Sequence, residues 1–108
     1  MKMKNRFKRK IIAFFSPRLK VEYSTEDPDI ISNGKLFIIG DYGFQWRAIM
    51  KCPCGCGDTI YLNIDGQTSP SWKIYGKKKI PSIWPSINRR KGCKAHFFVK
   101  NGKIKWAN

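Results

Sequence analysis

Apolar and polar positions alternate in short stretches over most of the chain after residue 34, and the alternation predicts a mostly-β protein. Lys35–Gly40 (KLFIIG) is a short apolar run that reads as a buried strand. In Gly43–Lys51, Phe44, Trp46, Ala48 and Met50 alternate with Gln45, Arg47 and Ile49, a second strand. Asp58–Ile64 sets Ile60, Leu62 and Ile64 on one side, a third, and Asp65-Gly66 after it is a tight-turn signal. Ser71–Tyr75 is a fourth, with Lys73 opposed to Trp72 and Ile74. The prolines of Ile80–Ile87 (IPSIWPSI) exclude a central strand on this reading and favour an extended edge or loop. His96–Lys100 and Lys103–Trp106 flank Asn101-Gly102, the composition of a two-residue type I′ hairpin. Four to six short strands are expected in all.

The first twenty residues break this rhythm. Met3, Phe7 and Ile11 recur every four residues, with Phe14 and Phe15 near the same side. That spacing predicts a short amphipathic helix ending near Ser16-Pro17, because proline disfavours helical geometry in the residue before it. Glu22–Gly34 carries two turn-forming clusters and reads as a surface connection. The expected organisation is a basic amphipathic arm, 1–20, followed by a β domain, 21–108.

Charge changes the picture. The net +15 is unevenly spread: residues 1–20 carry +8, residues 71–108 carry +11, and the middle, which holds all seven acids, carries −4. The basic ends attract polyanions such as nucleic acid. Trp72, Tyr75, Trp84, Phe97, Phe98 and Trp106 lie among these cations and would stack on unpaired bases if exposed. No stretch is long enough to span a bilayer, and the early apolar run Ile11–Phe15 is too short for a secretory leader. A reducing, cytoplasmic setting is the expectation, with thiols committed to metal.

The four cysteines and the single histidine fall in two clusters, Cys52-Pro53-Cys54-Gly55-Cys56-Gly57 and Cys93-Lys94-Ala95-His96. Cysteines two apart are badly placed to bond each other. Thiolate and imidazole are zinc ligands, and the glycines allow the tight turns on which such ligands ride. Five candidates, Cys52, Cys54, Cys56, Cys93 and His96, compete for four positions around Zn2+. The Cys-x-x-His spacing favours Cys93 and His96, while the choice within the first cluster stays open. A Cys-x-x-His loop before Phe and a hairpin is similar to the second loop of Rieske proteins, but their centre needs two histidines and this chain has one. A cysteine-rich iron–sulfur cluster is the alternative cofactor.

These residues, with Trp72, Pro85-Ser86-Ile87, and Phe97-Phe98 leading to Gly102 and Trp106, resemble an uncharacterised family of small Cys/His zinc-site proteins of bacteria and phages. The resemblance spans residues 35–106. Some of its members are encoded beside ubiquitin-like proteins and their conjugation partners, which implies a role near a ubiquitin-like tail. Ala95 stands where much of that family has serine, so nothing is carried over to that position.

The fold expected is thus a small zinc-stapled antiparallel β domain with a basic N-terminal helix. The leading function is a binding module for nucleic acid or another polyanion. A second is an adaptor for a protein partner. The third is a small hydrolase or peptidase: if all four cysteines bind metal, His96 is free to act as base for Ser86, with Asp41 or Asp58 as orienter. A zinc with three ligands and an open position is the other route to hydrolysis.

Overall fold

The computed structural model describes residues 18–107. They form eight strands in two four-stranded sheets: β1 (Lys20–Ser24), β2 (Lys35–Asp41), β3 (Phe44–Lys51) and β4 (Thr59–Asn63) in the first; β5 (Lys73–Lys77), β6 (Ile80–Asn88), β7 (His96–Lys100) and β8 (Lys103–Trp106) in the second. Each sheet keeps its strands in chain order. All neighbours are antiparallel except β1, which pairs parallel to β2 with Val21 opposite Leu36. No helix occurs among the described residues. The expected helix in the arm lies outside them for residues 1–17. Of the remainder of the arm, Leu19 is buried and Lys20 opens β1.

The inner faces of both sheets share one core. Leu36, Ile38, Ala48, Met50 and Leu62 of the first sheet meet Ile83, Ile87, Phe97, Val99 and Ile104 of the second. The first sheet is covered on its other face too, where Phe37, Ile39 and Ile49 pack with Ile31 and Trp46. That explains the unbroken apolar run of β2: a strand buried on both faces has no polar side to show. In the second sheet Ile74, Ile83, Ile87, Phe97, Val99 and Ile104 point inward, so the residues alternating with them form an outer face.

Two expectations about elements need correction. Residues 20–24, partly assigned to a surface connection, form β1. Its residues are half-buried or exposed throughout, as in an edge strand, which is hard to tell from a polar loop in so short a stretch. Ile80–Ile87 is a central strand of its sheet, lying between β5 and β7. Its prolines fit because one stands at the second residue of the strand and the other in a bulge. Ile83 pairs with Val99 and Ile87 with Phe97, so Trp84, Pro85 and Ser86 stand opposite Phe98 alone. Two extra residues on β6 leave Pro85 with no ladder bond to donate. Because the excess is even, the period-two alternation resumes in phase and Ile87 still faces the core.

The hairpin forms as expected. Lys100 pairs with Lys103, and Asn101 and Gly102 both take positive φ, 50° and 77°.

Candidate functional site

The bulge in β6 places Ser86 on the outer face of the second sheet, next to the first residue of β7. Asn88 and His96 are paired across the two strands. The backbone of this corner is further tied by Arg89 N–H to the Ala95 carbonyl (2.8 Å) and Ala107 N–H to the His96 carbonyl (2.9 Å). Ser86 Oγ then lies 2.8 Å from His96 Nε2, with both side chains half-buried. In the Nδ1–H tautomer, Nε2 accepts the hydroxyl proton. The Trp72 indole N–H donates to the Ser86 carbonyl oxygen at 3.3 Å, which holds the serine backbone from the side that β5 does not reach. A hydroxyl hydrogen-bonded to an imidazole nitrogen in a half-open setting is the arrangement of an activated nucleophile and its base.

The thiols gather beside this corner. Cys52 directly follows β3, Cys54 and Cys56 lie further along the loop to β4, and Cys93 lies in the loop between β6 and β7. Cys52 Sγ is 3.4 Å from Cys54 Sγ and 3.6 Å from Cys93 Sγ, and all four sulfurs lie within 4.8 Å of one another. Sulfurs around a tetrahedral ion with metal–sulfur bonds of about 2.3 Å stand about 3.8 Å apart, so the cluster could hold a metal ion. Its loops are built for that: Gly55 and Gly57 take φ of 89° and 88°, and backbone N–H groups of Cys56 and Asp58 point at Cys54 and Cys56 sulfurs, at 3.3 and 3.5 Å.

The electrostatics suit a cation. Burial pushes the Cys52 and Cys54 thiols up from their ordinary range. Burial also raises Cys93, but the Ala95 N–H and the neighbouring thiols outweigh it and bring Cys93 down to about 7. Four thiols this close repel one another once ionised, and a bound cation removes that repulsion. Arg89 supplies part of the positive charge already: its Nη1 lies 3.4 Å from Cys93 Sγ and 3.6 Å from Cys56 Sγ, and its Nη2 bonds Asp58 Oδ2 at 3.1 Å.

Of the five ligand candidates, the structure brings together Cys52, Cys54, Cys56 and Cys93, while His96 stands outside the group and meets Ser86 instead. Asp58 pairs with Arg89, and Asp41 Oδ1 accepts from the Tyr42 N–H. Among the described residues no carboxylate pairs with His96. Arg89 and Trp72 carry roles that the sequence reading missed. Arg89 sat in an Arg-Arg-Lys run read only as charge, and nothing local marked Trp72 as a donor to Ser86. Of the six rings offered for base stacking, Phe97 is fully buried, Trp72, Phe98 and Trp106 are half-buried, and only Tyr75 and Trp84 are exposed. No helix of the described residues is long and apolar enough to cross a membrane.

A family model described as "Bacterial ubiquitination-like system serine protease (BubE)" matches residues 23–107. No curated protein and no solved structure matches the chain.

Proposed function

The chain belongs to the family of bacterial ubiquitination-like system serine proteases (BubE), matched from residue 23 to residue 107, and from that premise we propose that it is a serine hydrolase cutting an acyl bond at a ubiquitin-like protein. One observation carries the reading: the 2.8 Å contact between Ser86 Oγ and His96 Nε2.

His96 Nε2 takes the proton of Ser86 as Oγ attacks the scissile carbonyl carbon, forming a tetrahedral intermediate. The imidazolium then returns that proton to the leaving amine, the carbon–nitrogen bond breaks, and an ester to Ser86 remains. Water enters, His96 takes one of its protons as the oxygen attacks the ester carbon, and His96 then gives that proton to Ser86 Oγ as the carbon–oxygen bond breaks, releasing a carboxylic acid and restoring Ser86. Two groups share the proton work, so the site is a dyad; Trp72 positions the serine backbone rather than the proton.

Cys52, Cys54, Cys56 and Cys93 are the proposed zinc ligands. Four thiolates fill all tetrahedral positions, which makes the site structural and leaves none open for water. Bound there, zinc would supply a cross-link between the β3–β4 loop and the β6–β7 loop. With the ligand positions taken by sulfur, His96 remains available as base.

A fluorophosphonate probe tests the reading. It should add to the wild-type protein at Ser86, as located by mass spectrometry. Ser86→Ala should abolish labelling, and His96→Ala should slow it by about 10²-fold or more, with melting temperature and bound metal unchanged. A wild-type protein that does not label sinks the assignment, as does a His96→Ala variant that sheds its metal and melts.

A further inference from the structure

The residues around Ser86 on the outer face of the second sheet are aromatic and basic. Trp84, two residues before Ser86, is 61% exposed and stands directly opposite exposed Lys73. Across β6 from Trp84 and Ser86, the Phe98 ring lies 6.1 Å from the His96 ring, and Lys100 Nζ sits 5.4 Å from the centre of Phe98. Lys105, also exposed, is paired with Phe98 across the hairpin. A track of rings therefore runs across the sheet from Lys73 through Trp84 and Phe98 to Lys105, with Ser86 and His96 beside it. No acid offsets these charges within the sheet, since residues 71–108 contain eleven Lys/Arg and no Asp/Glu.

The backbone offers a place for an extended ligand beside this track. The β5–β6 ladder ends at the pair Lys73–Trp84, while β6 continues to Asn88. Residues 85–88 thus have no strand neighbour on the β5 side among the described residues, although the Trp72 indole already bonds the Ser86 carbonyl, so a ligand strand would pair beyond that residue.

From this geometry we infer that the outer face of the second sheet is the substrate-binding surface and selects an extended peptide segment with acidic residues flanking an apolar one. The inference rests on the hydrolase reading of Ser86 and names its substrate class. The apolar side chain lies on Trp84 and the acidic ones reach Lys73 on one side and Lys100 and Lys105 on the other. A peptide fits better than a nucleic acid because Ser86 beside these rings is the proposed acyl-transfer nucleophile, and of the large rings on this face only Trp84 and Tyr75 are exposed for stacking.

The test uses the full chain carrying Ser86→Ala, so that binding is read without turnover. Fluorescein-labelled decapeptides alternating Leu with Glu, Gln or Lys are titrated by fluorescence polarisation, with a single-stranded oligonucleotide as competitor. The Leu–Glu peptide should bind at least about tenfold tighter than the Leu–Gln peptide at low salt, and the difference should shrink as salt is added. Adding Lys73→Glu, Lys100→Glu and Lys105→Glu should erase the preference, and Trp84→Ala should weaken all the peptides. All four residues are at the surface, and a melting curve checks that each variant is folded. Equal binding of the three peptides overturns the inference. So does an oligonucleotide that displaces the acidic peptide in a way that depends on the same lysines. Fluorophosphonate labelling of wild-type protein is read separately: if Ser86 labels but the peptides bind alike, the substrate class fails and the hydrolase stands.

Discussion

Arg89 touches two thiols and a carboxylate, and its position decides how much charge the cluster can carry. Four thiolates around a divalent ion keep a net charge of about −2, and the guanidinium lies against two of the sulfurs. Arg89→Ala removes that compensation without removing a ligand. It should weaken metal retention about 10- to 100-fold in competition with a colorimetric chelator, while Ser86 still labels once metal is supplied in excess. Unchanged retention would reduce Arg89 to a surface ion pair with Asp58. The same titration has a defined pH slope. Cys52 and Cys54 hold their protons more tightly than ordinary thiols, so metal must displace them. Affinity therefore falls as pH is lowered and rises as pH is raised, and a flat response between about pH 6 and 8 would contradict thiolate ligation.

At the level of elements, the bulge in β6 and the hairpin of β7 and β8 do different work. The bulge turns Ser86 toward His96 while keeping Ile83 and Ile87 in the core. The hairpin fixes the register of β7 against β8, while the β6–β7 ladder sets His96 opposite Asn88, beside the bulge. Its turn is demanding. Gly102 has a φ of 77°, and a Cβ added there would come within 3.3 Å of Ile80 Cα. Gly102→Ala should cost about 1–2 kcal/mol from the left-handed backbone alone, read as a shift in urea midpoint. A neutral result would mean that the turn relaxes into another type. That turn could be read from Asn-Gly between two alternating runs, because both residue types tolerate positive φ. The bulge could not. Pro-Ser-Ile repeated twice signals only that ladder bonds are missing, and whether such a strand lies at an edge or in the middle depends on its neighbours.

At the level of the molecule, the thiols lie at the junction of the two sheets: Cys52, Cys54 and Cys56 belong to a loop of the first and Cys93 to a loop of the second. The Arg89–Asp58 pair crosses the same junction. A metal bound there would join two sheets that otherwise meet through a shared core and a few hydrogen bonds, such as Leu19 N–H to the Gly102 carbonyl and the Tyr23 hydroxyl to the Lys78 carbonyl, a common requirement in chains of this length. Stripping the protein with a strong chelator under reducing conditions should lower its melting temperature by 10 °C or more on the scale of about 4–8 °C per kcal/mol for domains of this size, and slow Ser86 labelling with it. A melting curve indifferent to the chelator would mean that the core suffices alone. The uneven charge gains a location in the same frame. The basic end that can be placed belongs to the second sheet and its loops, and the acids belong to the other sheet and its loops.

Local chemistry was enough to foresee a β protein, the Asn101-Gly102 turn and cysteines that could serve as metal ligands, because alternation, positive-φ residues and thiol spacing act over a few neighbouring positions. It left the fifth ligand-type residue ambiguous. A histidine three residues after a cysteine has the spacing to share its ion, and it also has the spacing to begin a strand facing elsewhere. Only the pairing of β6 with β7, and the two extra residues that push Ser86 outward, bring the imidazole to a hydroxyl ten positions away along the chain. The same holds for Arg89 and Trp72, whose partners come from other strands and loops. Contacts of that kind depend on register between segments, and register is set by the assembled core rather than by any one stretch of residues.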